Sequence, residues 1–204
     1  MKNLKSLKLI FLLVLNFSLL NCAKDFSNEP LVVNQPKNII KIKGKFAAYI
    51  SPSNLNLIKN FSSDDCESWA VDLKLDDPYK QAVTKLLKSM FENIEILDQV
   101  LSKNKIEKNQ YASQINIFHN DALASFVVEE NIGKFKINLQ SKVNIIAANK
   151  EIENKIYSDN NWQKSVYLNC NLNEGARKTA RITLEKLIHQ MHSSIFESVY
   201  TVTR

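Results

Sequence analysis

The chain has 204 residues, of which 45% are hydrophobic and 24% charged, with three Gly and four Pro. Those proportions suit one ordinary globular domain plus a short leader and leave little room for low-complexity or long disordered segments. The formal charge of +6 points first to nucleic acid, but Lys2, Lys5 and Lys8 supply half of it; without them the remainder carries +3 from interspersed charges. No basic stripe of the kind nucleic acid requires is present.

The N-terminus reads in three parts. Lys2, Lys5 and Lys8 form a positive region; residues 9–15 are an unbroken apolar run; Leu19-Leu20-Asn21-Cys22 follows. The run is shorter than the roughly 20 residues that a spanning helix needs and suits a secretion signal. Leu19-Leu20-Asn21-Cys22 resembles a lipobox, the processing site of bacterial lipoproteins, with Leu three residues before the Cys and Asn21 where the pattern prefers Gly, Ala or Ser. The resemblance implies that residues 1–21 are removed and that Cys22 receives diacylglycerol and becomes the fatty-acylated first residue. It also implies that Ala23, where an Asp would signal retention at the inner membrane, directs the protein to the periplasmic face of the outer membrane. Residues 22–38, with Pro30 and Pro36, read as a lipidated tether, and residues 39–204 as a single periplasmic domain.

With Cys22 lipidated, Cys66 and Cys170 remain. In an oxidising compartment their parity predicts one disulfide, with two separate thiols as the alternative.

In the domain, Ile40, Ile42, Phe46, Ala48 and Ile50 alternate with Lys41, Lys43 and Lys45, the period of a half-buried strand. Residues 55–61 are ambiguous. Trp69, Val71, Leu73 and Leu75 form a second alternating set. Asp77 then reads as a helix cap and Pro78 as a first-turn residue. The stripe Tyr79, Ala82, Val83, Leu86, Leu87, Met90 and Phe91 follows at helical spacing, and residues 94–97 read as a short strand. Residues 98–111 are polar and lysine-rich, with part helix as one reading. Three strands in a meander are expected over residues 115–157: one broken near Asn120-Asp121, one with Phe135, Ile137, Leu139, Val143 and Ile145 inward and only Ser141 polar, and one over 152–157. A turn is expected at Asn131-Ile132-Gly133, and residues 166–168 suggest an edge strand. A helix over about 173–199 carries Ala176, Ala180, Leu184, Leu187, Ile188, Met191, Ile195 and Val199 on one stripe.

The fold class is therefore α+β: a mainly antiparallel sheet with two amphipathic helices on one face, one after strand 2 and one long and C-terminal. The opposite face is expected to carry Lys41, Lys43, Lys45, Lys136, Lys142 and Asn144. The arrangement is similar to small Gram-negative envelope lipoproteins of the LptE or YajG type, carried by Asp76-Asp77-Pro78-Tyr79, its helix, the strand Ile94-Glu95-Ile96-Leu97 and the meander after it. An LptE-like reading would imply plugging an outer-membrane barrel and handling lipopolysaccharide; it transfers no binding residue by position.

The chemistry-bearing residue types give little else. Neither a phosphate-binding glycine loop nor a nucleophile elbow occurs. His189 and His192 share a helix with Glu185, yet two His without a third ligand do not define a metal centre. His119 beside Asn120-Asp121 fits a strand break as well as acid–base work. No catalytic residue, metal or cofactor is assigned. Two function classes follow. One is a non-enzymatic, membrane-anchored lipoprotein that binds a protein or lipid partner in outer-membrane assembly or transport, marked by a flat, partly apolar patch. The other is a substrate-binding or hydrolytic lipoprotein acting on envelope material, marked by a deep polar pocket.

Overall fold

The computed structural model describes residues 31–63, 66–165 and 172–203. Seven strands and three helices follow in the order β1 (Ile42–Ile50), β2 (Leu57–Ser63), β3 (Cys66–Leu73), α1 (Asp76–Met90), β4 (Phe91–Leu97), α2 (Lys103–Lys108), β5 (Ser113–Glu129), β6 (Ile132–Ile146), β7 (Glu151–Ser165) and α3 (Asn173–Thr203). The main sheet has the order β4-β1-β5-β6-β7, and β2 and β3 form a separate antiparallel hairpin. The α+β class holds, and the sheet is mainly antiparallel; β1, however, pairs in parallel with both β4 and β5.

The helical stripes pack as their periodicity predicts. Tyr79, Ala82, Val83, Leu86, Leu87 and Met90 of α1 are buried, as are all eight stripe residues of α3. They join Phe46, Ile115, Ile117, Phe135, Ile137, Leu139, Val143 and Ile145 in one core between the helices and a single sheet face. At about 1.5–3 kcal/mol per large aliphatic side chain, this interface is the dominant stabilising contact of the fold. Gly175 sets how closely α3 approaches β7: a Cβ there would stand 2.3 Å from the Trp162 ring.

Three local readings need correction. Asp77 does not cap α1. The helix begins at Asp76, its N-cap is Leu75, and no side chain of the N-cap bonds back. Instead Asn56 Oδ1, reaching from the segment before β2, accepts from Leu75 N at 2.9 Å and Asp76 N at 3.3 Å. The hairpin turn falls at Glu130-Asn131, one residue earlier than expected, both in the left-handed region with φ of 49° and 64°. Two successive positive φ values are what a tight hairpin matching strand twist demands. Finally, residues 31–35 of the expected tether lie against the helices: Leu31 and Val33 pack on the core, Asn34 Nδ2 donates to Glu185 Oε1 at 2.6 Å, and Gln35 Nε2 donates to the Ala82 carbonyl at 3.3 Å.

The second sheet face departs furthest from expectation. Lys43 is exposed, within the register shift of β1 between Ile42 and Lys45. Beside it, however, residues 98–112 fold over the sheet and build a smaller core of Ala47, Leu101, Ile106 and Tyr111. Gln114 fastens this cover by accepting from Leu101 N at 2.8 Å and donating to the Gln99 carbonyl at 3.2 Å. Lys45 donates to the Asn109 carbonyl at 3.1 Å and lies 4.6 Å from the Tyr111 ring centroid. Asn144 is buried and donates to Glu151 at 2.8 Å. Lys136 and Lys142 are paired with Asp159 at 3.2 Å and Glu153 at 3.0 Å. The face is thus covered at one end and charge-balanced at the other.

Candidate functional site

Two surfaces stand out, and each follows from the topology. The first lies where β1 and β4 end. After β1 the chain leaves for the hairpin and α1 on the helical face; after β4 it leaves for α2 on the opposite face. Adjacent parallel strands whose continuations part to opposite faces leave a crevice at their carboxyl ends. A 480 Å³ concavity occupies that position, lined by residues 49–53 from the end of β1, by Asp76, Asp77, Tyr79 and Lys80 from the start of α1, and by Ile96, Leu97 and Asp98 from the end of β4.

The polar groups of this crevice are largely committed to the fold. Asp76 Oδ1 accepts from Ser53 Oγ at 2.5 Å and from Leu55 N at 2.9 Å, so it ties the outgoing loop to the helix start. Asp76 and Asp77 also lie in the first turn of α1, where negative charge interacts favourably with the helix dipole. Tyr79 points inward from the same turn. Its hydroxyl donates to Asn120 Oδ1 at 2.6 Å and lies 3.2 Å from Ser141 Oγ, which itself donates to Asn120 Oδ1 at 2.6 Å. All three side chains are buried. Burial pushes the Tyr79 phenol well above its ordinary pKa, with the Ser141 hydrogen bond acting in the opposite direction. Asn120 reaches this position because β5 shifts register between Phe118 and Asp121, which turns the residue towards the helices. The expected strand break is therefore a bulge, and the polar exception Ser141 is the second partner of the buried asparagine.

The second surface is the outer face of the meander beyond that bulge. Successive rows across β5, β6 and β7 are Asp121, Gln140, Tyr157 and then Leu123, Asn138, Asp159. Leu123 is 61% exposed and Tyr157 58%. Gln140 Nε2 donates to Asp121 Oδ2 at 3.1 Å between them. Two shallow hollows of 390 and 330 Å³ flank the pair and share Asp121, Gln140 and Tyr157. Here polar, charged and apolar groups are mixed: Asp121, Lys142, Glu153 and Lys155 line the first hollow, with Lys142 and Glu153 paired at 3.0 Å.

The remaining residues singled out in the sequence are scattered. Cys22 and Cys170 lie outside the described residues, as do residues 166–168; Cys66 is the first residue of β3. His119 sits in β5 within the register shift. His189 and His192 lie on α3, where the His192 ring stacks with Phe196 at 6.3 Å between centroids, and burial followed by the nearby His189 lowers the His192 pKa. Glu185, on the same helix, takes the Asn34 amide. Among the described residues no group of three or more His, Cys, Asp or Glu gathers as a metal would require, and no helix is long and apolar enough to cross a membrane.

Fold and surfaces define a two-layer α+β protein with a crevice at one sheet end and a mixed outer face on the meander. No protein-family model and no curated protein matches the sequence. Solved structures similar to it include a minor lipoprotein from Acinetobacter baumannii, with a TM-score of 0.44 and 9% identity over 76% of this chain and 92% of that one. Rare lipoprotein B from Shewanella oneidensis gives 0.43 and 12% over 78% and 95%. A neuraminyllactose-binding hemagglutinin homolog from Helicobacter pylori gives 0.41 and 9% over 89% and 96%. Likeness at this level carries no argument about what this chain binds or does.

Proposed function

We propose that this protein is a non-enzymatic bacterial lipoprotein, anchored through lipid on Cys22 at the periplasmic face of the outer membrane, that binds a protein or lipid partner in envelope assembly or transport. The anchoring part rests on the ordered series Lys2, Lys5 and Lys8, the apolar run over 9–15, and Leu19 three residues before Cys22. The binding part rests on one structural observation: Leu123 and Tyr157 stand 61% and 58% exposed on adjoining rows of a broad, shallow face. Such a surface suits contact with another macromolecule better than enclosure of a small substrate. A second reading, binding of a small envelope-derived substrate, is favoured by the 480 Å³ crevice at the ends of β1 and β4.

In-cell labelling with a fatty-acid analogue tests the anchor. Wild type should label and fractionate with the outer membrane, and Cys22→Ala should lose the label and accumulate as precursor. If the Ala variant labels and fractionates like wild type, Cys22 is not the acceptor. Crosslinking from the two surfaces separates the binding readings: the paired change Leu123→Asp and Tyr157→Asp should abolish a partner adduct if the meander face binds, and leave it intact if the crevice does.

A further inference from the structure

The chain enters the described fold at one definite place. Leu31 and Val32 lie against the first turns of α3, forming with Glu174, Arg177, Lys178 and Arg181 a 390 Å³ hollow. From there Asn34 reaches Glu185, further along the same helix, and Gln35 reaches α1. The segment is thereby fixed along the helical layer, with Leu31 at the N-terminal end of α3. Val32 is 70% exposed at that point, and Lys178 and Arg181 are exposed beside it, with Glu174 the one acid among the described residues of the hollow.

The geometry points to this patch as a second membrane contact: a site for the anionic headgroups of phospholipids, taken up by Lys178 and Arg181 with Arg177 alongside, while Val32 meets the interface. The inference rests on the anchoring of Cys22 proposed above. Leu31 is nine residues beyond Cys22, and nine residues span about 30 Å at most when fully extended. A lipidated Cys22 therefore holds the start of α3 within that reach of the bilayer, close enough for the patch to touch down. Among the described residues of the hollow the exposed bases Lys178 and Arg181 outnumber the acid Glu174, which matches an anionic surface, and an exposed Val among them is the apolar component that interfacial contacts use. Contact there orients the whole domain: the helical layer turns towards the membrane, and the outer face of the meander, carrying Leu123 and Tyr157, turns away from it.

The test uses the lipidated chain reconstituted on vesicles of phosphatidylcholine, alone or mixed with phosphatidylglycerol, and follows acylation of individual lysines by mass spectrometry. Lys178 should react about fivefold more slowly on the phosphatidylglycerol vesicles, the factor expected for one cation held at an anionic surface. Lys155, exposed on the opposite sheet face, should react at the same rate on both. High salt, or Arg181→Gln, should reduce the protection of Lys178. Equal Lys178 rates on the two vesicle types, or equal protection of Lys178 and Lys155, overturns the patch while leaving the anchor standing. Failure of the purified chain to carry lipid and float with either vesicle overturns the anchor, and the patch with it.

Discussion

Asn120→Ala probes the hydrogen-bond network that joins α1 to the bulged strand β5. In the wild type one buried oxygen, Asn120 Oδ1, accepts from both Tyr79 and Ser141 at 2.6 Å. Removing it leaves the two hydroxyls facing each other at 3.2 Å, so they can satisfy one donor between them and strand the other. A buried polar group without a partner costs about 1–3 kcal/mol, which sets the expected loss of stability. The sharper test is a cycle with Tyr79→Phe. If the hydroxyl and the amide oxygen stabilise each other, the loss caused by Asn120→Ala shrinks by about 1 kcal/mol once the hydroxyl is gone. Urea melts of the protein, followed by circular dichroism and by tryptophan fluorescence, give both numbers provided the two probes coincide. Additivity of the two changes to within about 0.3 kcal/mol would show that the network does not couple helix to strand, and the account of the bulge would fall with it.

Three further outcomes are expected. Leu187→Ala should cost about 2–5 kcal/mol, because Leu187 is fully buried in the main core, whereas Lys43→Ala on the opposite face should cost less than about 0.5 kcal/mol; equal losses in denaturant melts would mean the sheet faces are misassigned. Gly175→Ala should lower the melting temperature even though alanine gains about 1 kcal/mol over glycine in a free helix, because the new Cβ meets Trp162 at 2.3 Å; in a Trp162→Ala background the same change should become stabilising, and an unchanged sign would refute the packing argument. Non-reducing peptide mapping of protein from the periplasm should find Cys66 linked to Cys170, a result that free alkylation of both thiols would contradict.

What the sequence discloses depends on how local the cause is. Both long helices were legible because burial on one side repeats at helical spacing, from Tyr79 to Met90 and again from Ala176 to Val199. Strand β6 was legible for the same reason at period two, since Phe135, Ile137, Leu139, Val143 and Ile145 are all buried. The cover on the second face was not. Leu101, Ile106 and Tyr111 are five residues apart in a polar segment, a spacing that fits neither period, and they acquire meaning only when set against Ala47. The cap of α1 was misread because the acceptor, Asn56, lies 19 residues before the Leu75 amide it serves. The crevice could not be read at all: it exists because β4 pairs in parallel with β1 and the two continuations part to opposite faces, and no residue pattern records that. For the candidate site, the sequence did mark Asn120 and Ser141 as exceptions to their strands, but not that they meet through Tyr79.

The two halves of the sheet differ in a way that bears on function. Around Ala47 and Gln114 both faces are covered, by the helices on one side and by residues 98–112 on the other. Past the bulge, β5, β6 and β7 continue with one face covered, by α3 and the β2–β3 hairpin, and the outer face there carries Leu123 and Tyr157 in the open. Their exposure does little to the fold, because α3 and the β2–β3 hairpin already bury the opposite side of the same strands. It does leave apolar area whose removal from water would favour association by about 25 cal/mol per Å² before the costs of ordering. Four of the polar groups around it are paired with one another, Gln140 with Asp121 and Lys136 with Asp159, so a partner covering the face need not strand these. The described chain begins at Leu31 on the helical layer, so the anchor proposed at Cys22 and the binding proposed for this face would use opposite sides of one sheet.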